Sequence, residues 1–489
     1  MNLNQNNIEK IIANDSNIKT YNKPNSHSKI LHFGVGGFHR AHQAVYTAQA
    51  MEHTNDYSWG ITGVGILASD KTMADTLKNQ DYNYSLMIKP YKDENSLSIV
   101  NSIAGYIHAF GDYAELINAA TQSELAIISM TVTEGGYNID PNTGKFDWDN
   151  DLIKHDLNNP QSPKTIFGFL ALCLNERKNA GLKGITLLSC DNVQHNGDVL
   201  QYTLLEFLSK QNSELQNWAK ENCSFPNSMV DRITPKTANE DIEFIGKNFG
   251  VEDKWPVVCE PFTQWVIEDK FVAGRPNWEL VGAQFVENVS PYEKMKLRLL
   301  NASHQALAYL GYLHGYRYVH ESAQDELIQE LLLKYMQQEV EATLDPVDGI
   351  SVAEYESSLI ERFANPNIAD TLQRICEFTS DRIPVFNLQA VNEQINTGVS
   401  LKLSALIIAS WRAYLDGVSE NGDKIDIVDN KKDFLESFVA KHSDPVEFIK
   451  IKDIFHELAS DADFVKDYKQ AYENIKTHGA LKAVEISLR

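Results

Sequence analysis

Four short apolar runs, KILHF (29 to 33), WGITGVGI (59 to 66), LAIISMTVT (125 to 133) and GITLLSC (184 to 190), punctuate the first half of the chain. They are rich in β-branched residues, bounded by turn residues and, for several of them, separated by helical patterns. Strands that alternate with helices pair in parallel through crossovers, so residues 1–284 are predicted to form an α/β domain around a parallel sheet. Beyond about residue 285 the texture changes. DELIQELLLKYMQQEVEATL, VSLKLSALIIASWRAYLDGV and DPVEFIKIKDIFHELASDADFVKDYKQAYENIK are long helical patterns, and residues 285–489 are predicted to be mainly helical. No fixed-period repeat or low-complexity linker separates the halves, so they are expected to pack closely, with the cleft between them as the default place for a site.

Length and charge narrow the classes. A chain of 489 residues is too long for one core and suggests two or three domains. Its net charge of -23, from 44 basic and 67 acidic side chains, would repel nucleic acid and anionic membrane, so neither is an expected partner. No run is long and apolar enough to span a bilayer, and the polar, asparagine-rich first 28 residues lack a signal-peptide core. The expected compartment is the cytoplasm. Cys173, Cys190, Cys223, Cys259 and Cys376 are odd in number and widely spread, which reads as reduced thiols. His39 and His42 form an HxxH without flanking ligands, so no metal is expected. The sequence sets no oligomeric state and is compatible with a monomer.

Gly34, Gly36 and Gly37 in HFGVGGFHRAHQ follow the first strand and precede the helical pattern HRAHQAVYTAQAM. A strand, a glycine turn and a helix start together make the cradle of a Rossmann-type dinucleotide site, because glycine lets the backbone approach a pyrophosphate. Phe38 is counted with the same turn. The third glycine of the usual motif is replaced by His39, so a plain tight turn stays open as the alternative. Asp70, after the second strand, can accept bonds from an adenosine ribose and favour NAD over NADP. It can equally cap the helix that starts near KTMADTL.

KMKLRLLNASHQALAYLG (294 to 311) carries polar residues among its leucines. At about 100° per residue, Lys294, Arg298 and Gln305 gather on an outer face opposite the apolar arc. With Lys296 at about 0°, His304 falls near 80° inside that arc and Asn301 near 140° at its edge. A buried lysine is costly unless it has a task. The plainer alternatives are a snorkelling lysine, a core histidine and an asparagine bonded to backbone.

Beyond these signals, GVGGFHRAHQ, TVTEGGY (131 to 137), SCDN (189 to 192), SFPNSMVDRITP (224 to 235), CEPFTQWVIEDKF (259 to 271) and KLRLLNASH (296 to 304) resemble, in the same order, the polyol-specific long-chain dehydrogenase family. The resemblance covers nearly the whole chain and is nearest to members that interconvert D-mannitol and D-fructose with NAD and without metal. It implies a catalytic lysine, asparagine and histidine at Lys296, Asn301 and His304, with Asn192 and Glu293 as further members of the set. It also implies substrate contacts from Asp231 and Arg374, and cofactor discrimination by Asp70. Arg382 stands where the family pattern has a lysine.

Those residue types suit the oxidation of a secondary alcohol. Lys296 would act as general base, and as acid in the reverse direction, if its surroundings favour the neutral amine. The amides of Asn192 and Asn301 would bond the developing alkoxide, and His304 a substrate hydroxyl. Glu293, three residues before Lys296, would relay its proton to water. Asp231 and Arg374 offer charge-assisted bonds to polyol hydroxyls. A turn role for Asn192 and a surface ion pair for Glu293 remain the plain alternatives. Two other activities stay open: reduction of a hexuronate (fructuronate or tagaturonate), with Arg374 or Arg382 for the carboxylate, and nucleotide binding without catalysis.

Overall fold

The structure is a computed structural model that describes residues 1–25, 28–140, 143–395 and 397–489. The chain divides into two compact units, Met1–Val289 and Ser290–Arg489.

In the first unit, β1 (Ile30–Phe33), β2 (Ile61–Gly65), β3 (Ile103–His108), β4 (Ile127–Met130) and β5 (Thr186–Ser189) form one sheet in the order β3-β2-β1-β4-β5. Every pairing in it is parallel. All residues of β1, β4 and β5 are buried, because both faces are covered. Leu31, Ile128 and Leu187 join a core with the helices Ile166–Asn179 and Asn196–Gln211 on one face. Ile30, Ile127 and Leu188 join another with the helix Gln43–Thr54 on the opposite face. Each such aliphatic side chain contributes about 1.5–3 kcal/mol on burial. Four of the five strands come from the predicted runs. β3, from IAGYIH, escapes the pattern because it pairs on one side only and leaves Ala104, Gly105 and Tyr106 partly exposed.

Strand order reverses between β1 and β4, so the ligand crevice of an open α/β sheet lies outside their carboxyl ends. A smaller sheet pairs Ser228–Asp231 antiparallel with Gln264–Glu268, and the latter parallel with Gln284–Val286.

The second unit is helical. Its central helix, Ala302–His314, is buried along nearly its whole length and packs against the helix Lys402–Tyr414. DELIQELLLKYMQQEVEATL does not form one α-helix: it runs from Glu326 to Lys334, continues as a π-helix over Tyr335–Val340 and ends in a 3-10 turn. The C-terminal pattern breaks likewise into short turns from Pro445 to Ser460 before the helix Ala462–His478, whose start is capped when the Asp461 carboxylate accepts from Phe464 N. Among the described residues, no helix is long and apolar enough to cross a membrane.

Candidate active site

Gly34 adopts φ +86 at the carboxyl end of β1, where an added Cβ would sit 2.1 Å from Thr131 O. Only glycine permits this backbone contact. Thr131 Oγ1 donates to Gly34 O at 2.6 Å, which knits the exits of β1 and β4 together at the crevice. At Gly36 and Gly37 an added Cβ would meet nothing nearer than 3.9 and 3.7 Å, so open space faces this part of the turn. The predicted helix after the glycines is interrupted: Gly37–Ala41 ends at His42, with φ -123 and ψ -95, and Gln43–Thr54 resumes beyond it. His39, at the position of the missing glycine, is buried and stacks on His32 of β1 with ring centroids 3.4 Å apart. Burial pulls the His32 imidazole down to about 3 and His39 well below its ordinary value, so both rings are neutral. Phe38 stacks on His42 with centroids 5.0 Å apart.

Asp70 lies beyond β2, partly exposed. Its Oδ2 accepts from Leu67 N at 2.9 Å, closing the turn Ala68–Asp70, and its side chain makes no bond to the helix Lys71–Asn79. The capping alternative is therefore replaced by a turn-closing role that leaves the carboxylate at the sheet edge. Sequence reasoning missed two neighbours. Leu67 and Phe110, at the carboxyl ends of β2 and β3, are 56% and 58% exposed, and His108 Nε2 bonds Leu67 O at 2.9 Å between them. An exposed leucine or phenylalanine is unremarked in a sequence, and only the topology gives these two meaning.

Beyond β4 and β5 the loops TVTEGGY and SCDN are joined by Asp191, which the sequence reading passed over. Its buried carboxylate accepts from Thr133 N at 2.8 Å, Val132 N at 3.1 Å and Tyr137 Oη at 2.7 Å. Burial pushes its pKa up to about 6, and those three bonds limit the rise, so it is largely ionised at neutral pH. Thr133 adopts φ 64 and ψ 167, a conformation that costs a β-branched residue about 1–3 kcal/mol. Asn192 follows, exposed. Asp231 ends the strand Ser228–Asp231 and is buried. Next to it, Arg232 Nη1 donates to Ala41 O at 2.7 Å, tying this strand to the helix after the glycine turn.

In the second unit, the helix carrying Lys296 is not the regular α-helix predicted. Ser290–Met295 is α-helical, Lys296–Asn301 is a π-helix, and Ala302–His314 is α-helical again. The amide of Ala302 bonds Leu297 O, five residues back. A π turn advances by roughly 80° per residue, so Asn301 comes about one full turn after Lys296, and His304 three α-helical steps later returns to the same side. The three residues that a uniform wheel spreads over about 140° thus fall within an arc of roughly 60°. Lys296, Glu293 and His304 are buried, which sets aside the surface ion pair for Glu293. His304 packs on Phe363 with ring centroids 4.1 Å apart. Asn301 Oδ1 is enclosed and accepts no hydrogen bond among the described residues, leaving one side of this amide uncommitted.

The expected outer face is also corrected. Arg298 and Gln305 are buried, not solvated. Gln305 Nε2 donates to Ile375 O at 3.1 Å, and Arg298 pairs with Glu393. Arg374 is half-exposed and donates through Nε to Asp370 Oδ1 at 2.7 Å, so its charge is already offset. Arg382 Nη1 donates to the carbonyls of Arg374 and Ile375, bracing that turn.

Residues 28–280 match the mannitol dehydrogenase Rossmann domain, and residues 288–476 match the mannitol dehydrogenase C-terminal domain. A mannitol 2-dehydrogenase of Phaeosphaeria nodorum is 40% identical over 95% of this chain and 82% of its own. One of Aspergillus clavatus is 38% identical over 99% and 98%. Among solved structures, Pseudomonas fluorescens mannitol 2-dehydrogenase, in ternary complex with NAD and D-mannitol, is 40% identical with a TM-score of 0.90, covering 99% of both chains. A substrate-free D-sorbitol dehydrogenase is 33% identical with a TM-score of 0.91, covering 99% of this chain and 100% of its own. With both halves matched in order and relatives of this similarity over its whole length, the chain belongs to the mannitol dehydrogenase family.

Proposed function

We propose that this protein is an NAD-dependent oxidoreductase that interconverts D-mannitol and D-fructose, with Lys296 as general acid and base. The observation that carries the reading is the π turn, which returns Lys296, Asn301 and His304 to one side of a buried helix in a chain of this family. The sheet suits the dinucleotide. Gly36 and Gly37 leave room for a pyrophosphate at the strand-order reversal, and Asp70 with exposed Leu67 and Phe110 suits an adenosine on the β2 side. Bound NAD supplies the hydride acceptor in alcohol oxidation.

Lys296 takes the hydroxyl proton during oxidation and returns it during reduction. The amides of Asn192 and Asn301 bond the oxygen as charge develops on it. His304, Asp231 and Arg374 bond the remaining hydroxyls, and Glu293 passes the proton on toward water. The reaction is proposed to need no metal: among the described residues no three His, Cys, Asp or Glu are grouped to hold an ion, and EDTA dialysis should leave turnover intact. With its acidic surface and free thiols, the enzyme is proposed to work in the cytoplasm.

The test is a panel of ketoses with NADH and NADPH, followed by nicotinamide absorbance, with sorbitol included in the oxidation direction. NADH oxidation with fructose, and none with fructuronate or tagaturonate, is the expected result. Turnover confined to the uronates would instead favour the reductase reading, and no turnover with any substrate would leave only nucleotide binding.

A further inference from the structure

The sheet order places the adenosine side of the crevice at β2 and β3, where Asp70, Leu67 and Phe110 stand, and the opposite side at β4 and β5. Residues 131–137 and 190–192 leave the carboxyl ends of β4 and β5, so they flank the nicotinamide half of a dinucleotide lying across the reversal point. One carboxylate joins these two loops. The two Asp191 oxygens receive the amides of Val132 and Thr133 and the hydroxyl of Tyr137, which also bonds Ser189 Oγ. Asp191 is itself pinned: its amide donates to Ser189 Oγ at 3.3 Å, and Asn196 Nδ2 donates to its carbonyl at 3.0 Å. The arrangement is rigid at its base.

Thr133 is where that rigidity is spent. A threonine at φ 64 and ψ 167 stays there only if its surroundings hold it: its carbonyl accepts from Gly136 N at 3.0 Å within the same loop, and its amide bond to Asp191 Oδ1 ties that loop to the next strand's exit. Beyond it, Glu134 and Gly135 are exposed in a 3-10 turn. A carboxylate that accepts two successive amides is hard to replace: in Asp191→Asn the amide NH2 would confront one of those N–H groups.

We infer that Asp191 is a positioning residue that holds residues 131–137 in the conformation that receives the nicotinamide end of the cofactor, acting through the strained backbone of Thr133. The inference rests on the reading of this chain as a nicotinamide-dependent dehydrogenase.

Four proteins test it: wild type, Asp191→Asn, Thr133→Gly and the double variant. NADH affinity is measured by fluorescence titration, and amide hydrogen exchange of residues 131–137 without ligand. Asp191→Asn should speed exchange in this segment and weaken NADH binding about tenfold, the scale of one lost charge-assisted bond. Glycine adopts the Thr133 conformation without strain, so the double variant should bind NADH nearly as well as Thr133→Gly alone. Faster exchange with unchanged NADH affinity would overturn the inference, and so would an additive loss in the double variant. Failure of the wild type to bind NADH would defeat the dehydrogenase reading as well, and it is seen before any variant is made.

Discussion

Arg298 donates to both oxygens of Glu393, at 2.8 Å to Oε2 and 2.6 Å to Oε1, and a third time to Thr343 O at 3.1 Å. It stands inside the π turn between Lys296 and Asn301. A π turn is rarely sustained by its own backbone, so its persistence depends on what grips it from outside. Asn387 adds a second grip, donating to Ala302 O at 3.3 Å and to Tyr335 Oη at 3.1 Å in the other π segment.

Glu393→Ala should therefore do more than remove an ion pair. The buried guanidinium keeps only the Thr343 carbonyl, at a cost of about 1–3 kcal/mol, and the low end applies because Glu393 is half-exposed. Relaxation of the turn should lower kcat as well as the melting temperature, while NADH affinity stays put. The Arg298 bond and charge also hold the Glu393 carboxyl below its ordinary 4.5. A depressed acid contributes stability above its unfolded value and loses it as pH falls through the folded one, so the pair weakens on the acid side of pH 4.5. Glu393→Gln should remove that part of the acid-side loss, as read from urea midpoints between pH 6 and pH 3.

Lys296→Ala removes the proposed base and leaves the glycine turn alone. Turnover should fall by about 10² to 10⁴ with NADH affinity nearly unchanged, and small amines should restore part of it. Retention of more than about a tenth of wild-type turnover would remove Lys296 from the mechanism.

Several of these features are legible in the amino-acid sequence. The strands β1, β2, β4 and β5 announce themselves because burial on both faces requires unbroken apolar runs, and Gly34 because its turn tolerates no side chain. The spacing of Lys296, Asn301 and His304 is visible and the resemblance implies a catalytic role for it, but the helix geometry that brings the three to one side is not. A helical wheel assumes one angle per residue, and the π turn breaks that assumption where the chemistry is proposed. Arg298 and Gln305 lie on the polar side of such a wheel, yet the surrounding helices bury them. Asp191 gave no signal at all. A carboxylate after a strand looks like any turn residue until the loop it holds is folded around it.

The neutral stack of His32 and His39 under the glycine turn sets an acid limit on the fold. His32 is held near 3 in the folded state by burial, with His39 also well below its ordinary 6.5. Between the folded and unfolded values the unfolded chain binds more protons, so stability declines as pH falls below about 6.5 and the decline continues toward 3. One such group adds a slope of up to about 1.4 kcal/mol per pH unit. Urea midpoints measured from pH 7 to pH 4 should fall steadily, and His32→Asn should flatten the curve while lowering stability at pH 7. An unchanged slope in that variant would mean that other groups carry the acid sensitivity.

Asp70 combines two duties that substitution can separate. Its Oδ2 closes the turn onto Leu67 N, and its charge stands at the sheet edge where a ribose would lie. Asp70→Asn keeps an acceptor for the Leu67 amide and removes the charge, whereas Asp70→Ala removes both. Both variants should gain with NADP relative to NAD, because repulsion of a 2′-phosphate is lost in each. Only Asp70→Ala should lose about 0.5–1.5 kcal/mol of stability, the net worth of one bond at a partly exposed turn. The measurement is the NAD to NADP ratio of kcat/KM beside the melting temperature. A ratio that stays at the wild-type value in both variants would leave Asp70 as a turn-closing residue and place cofactor choice on other groups at the ends of β2 and β3.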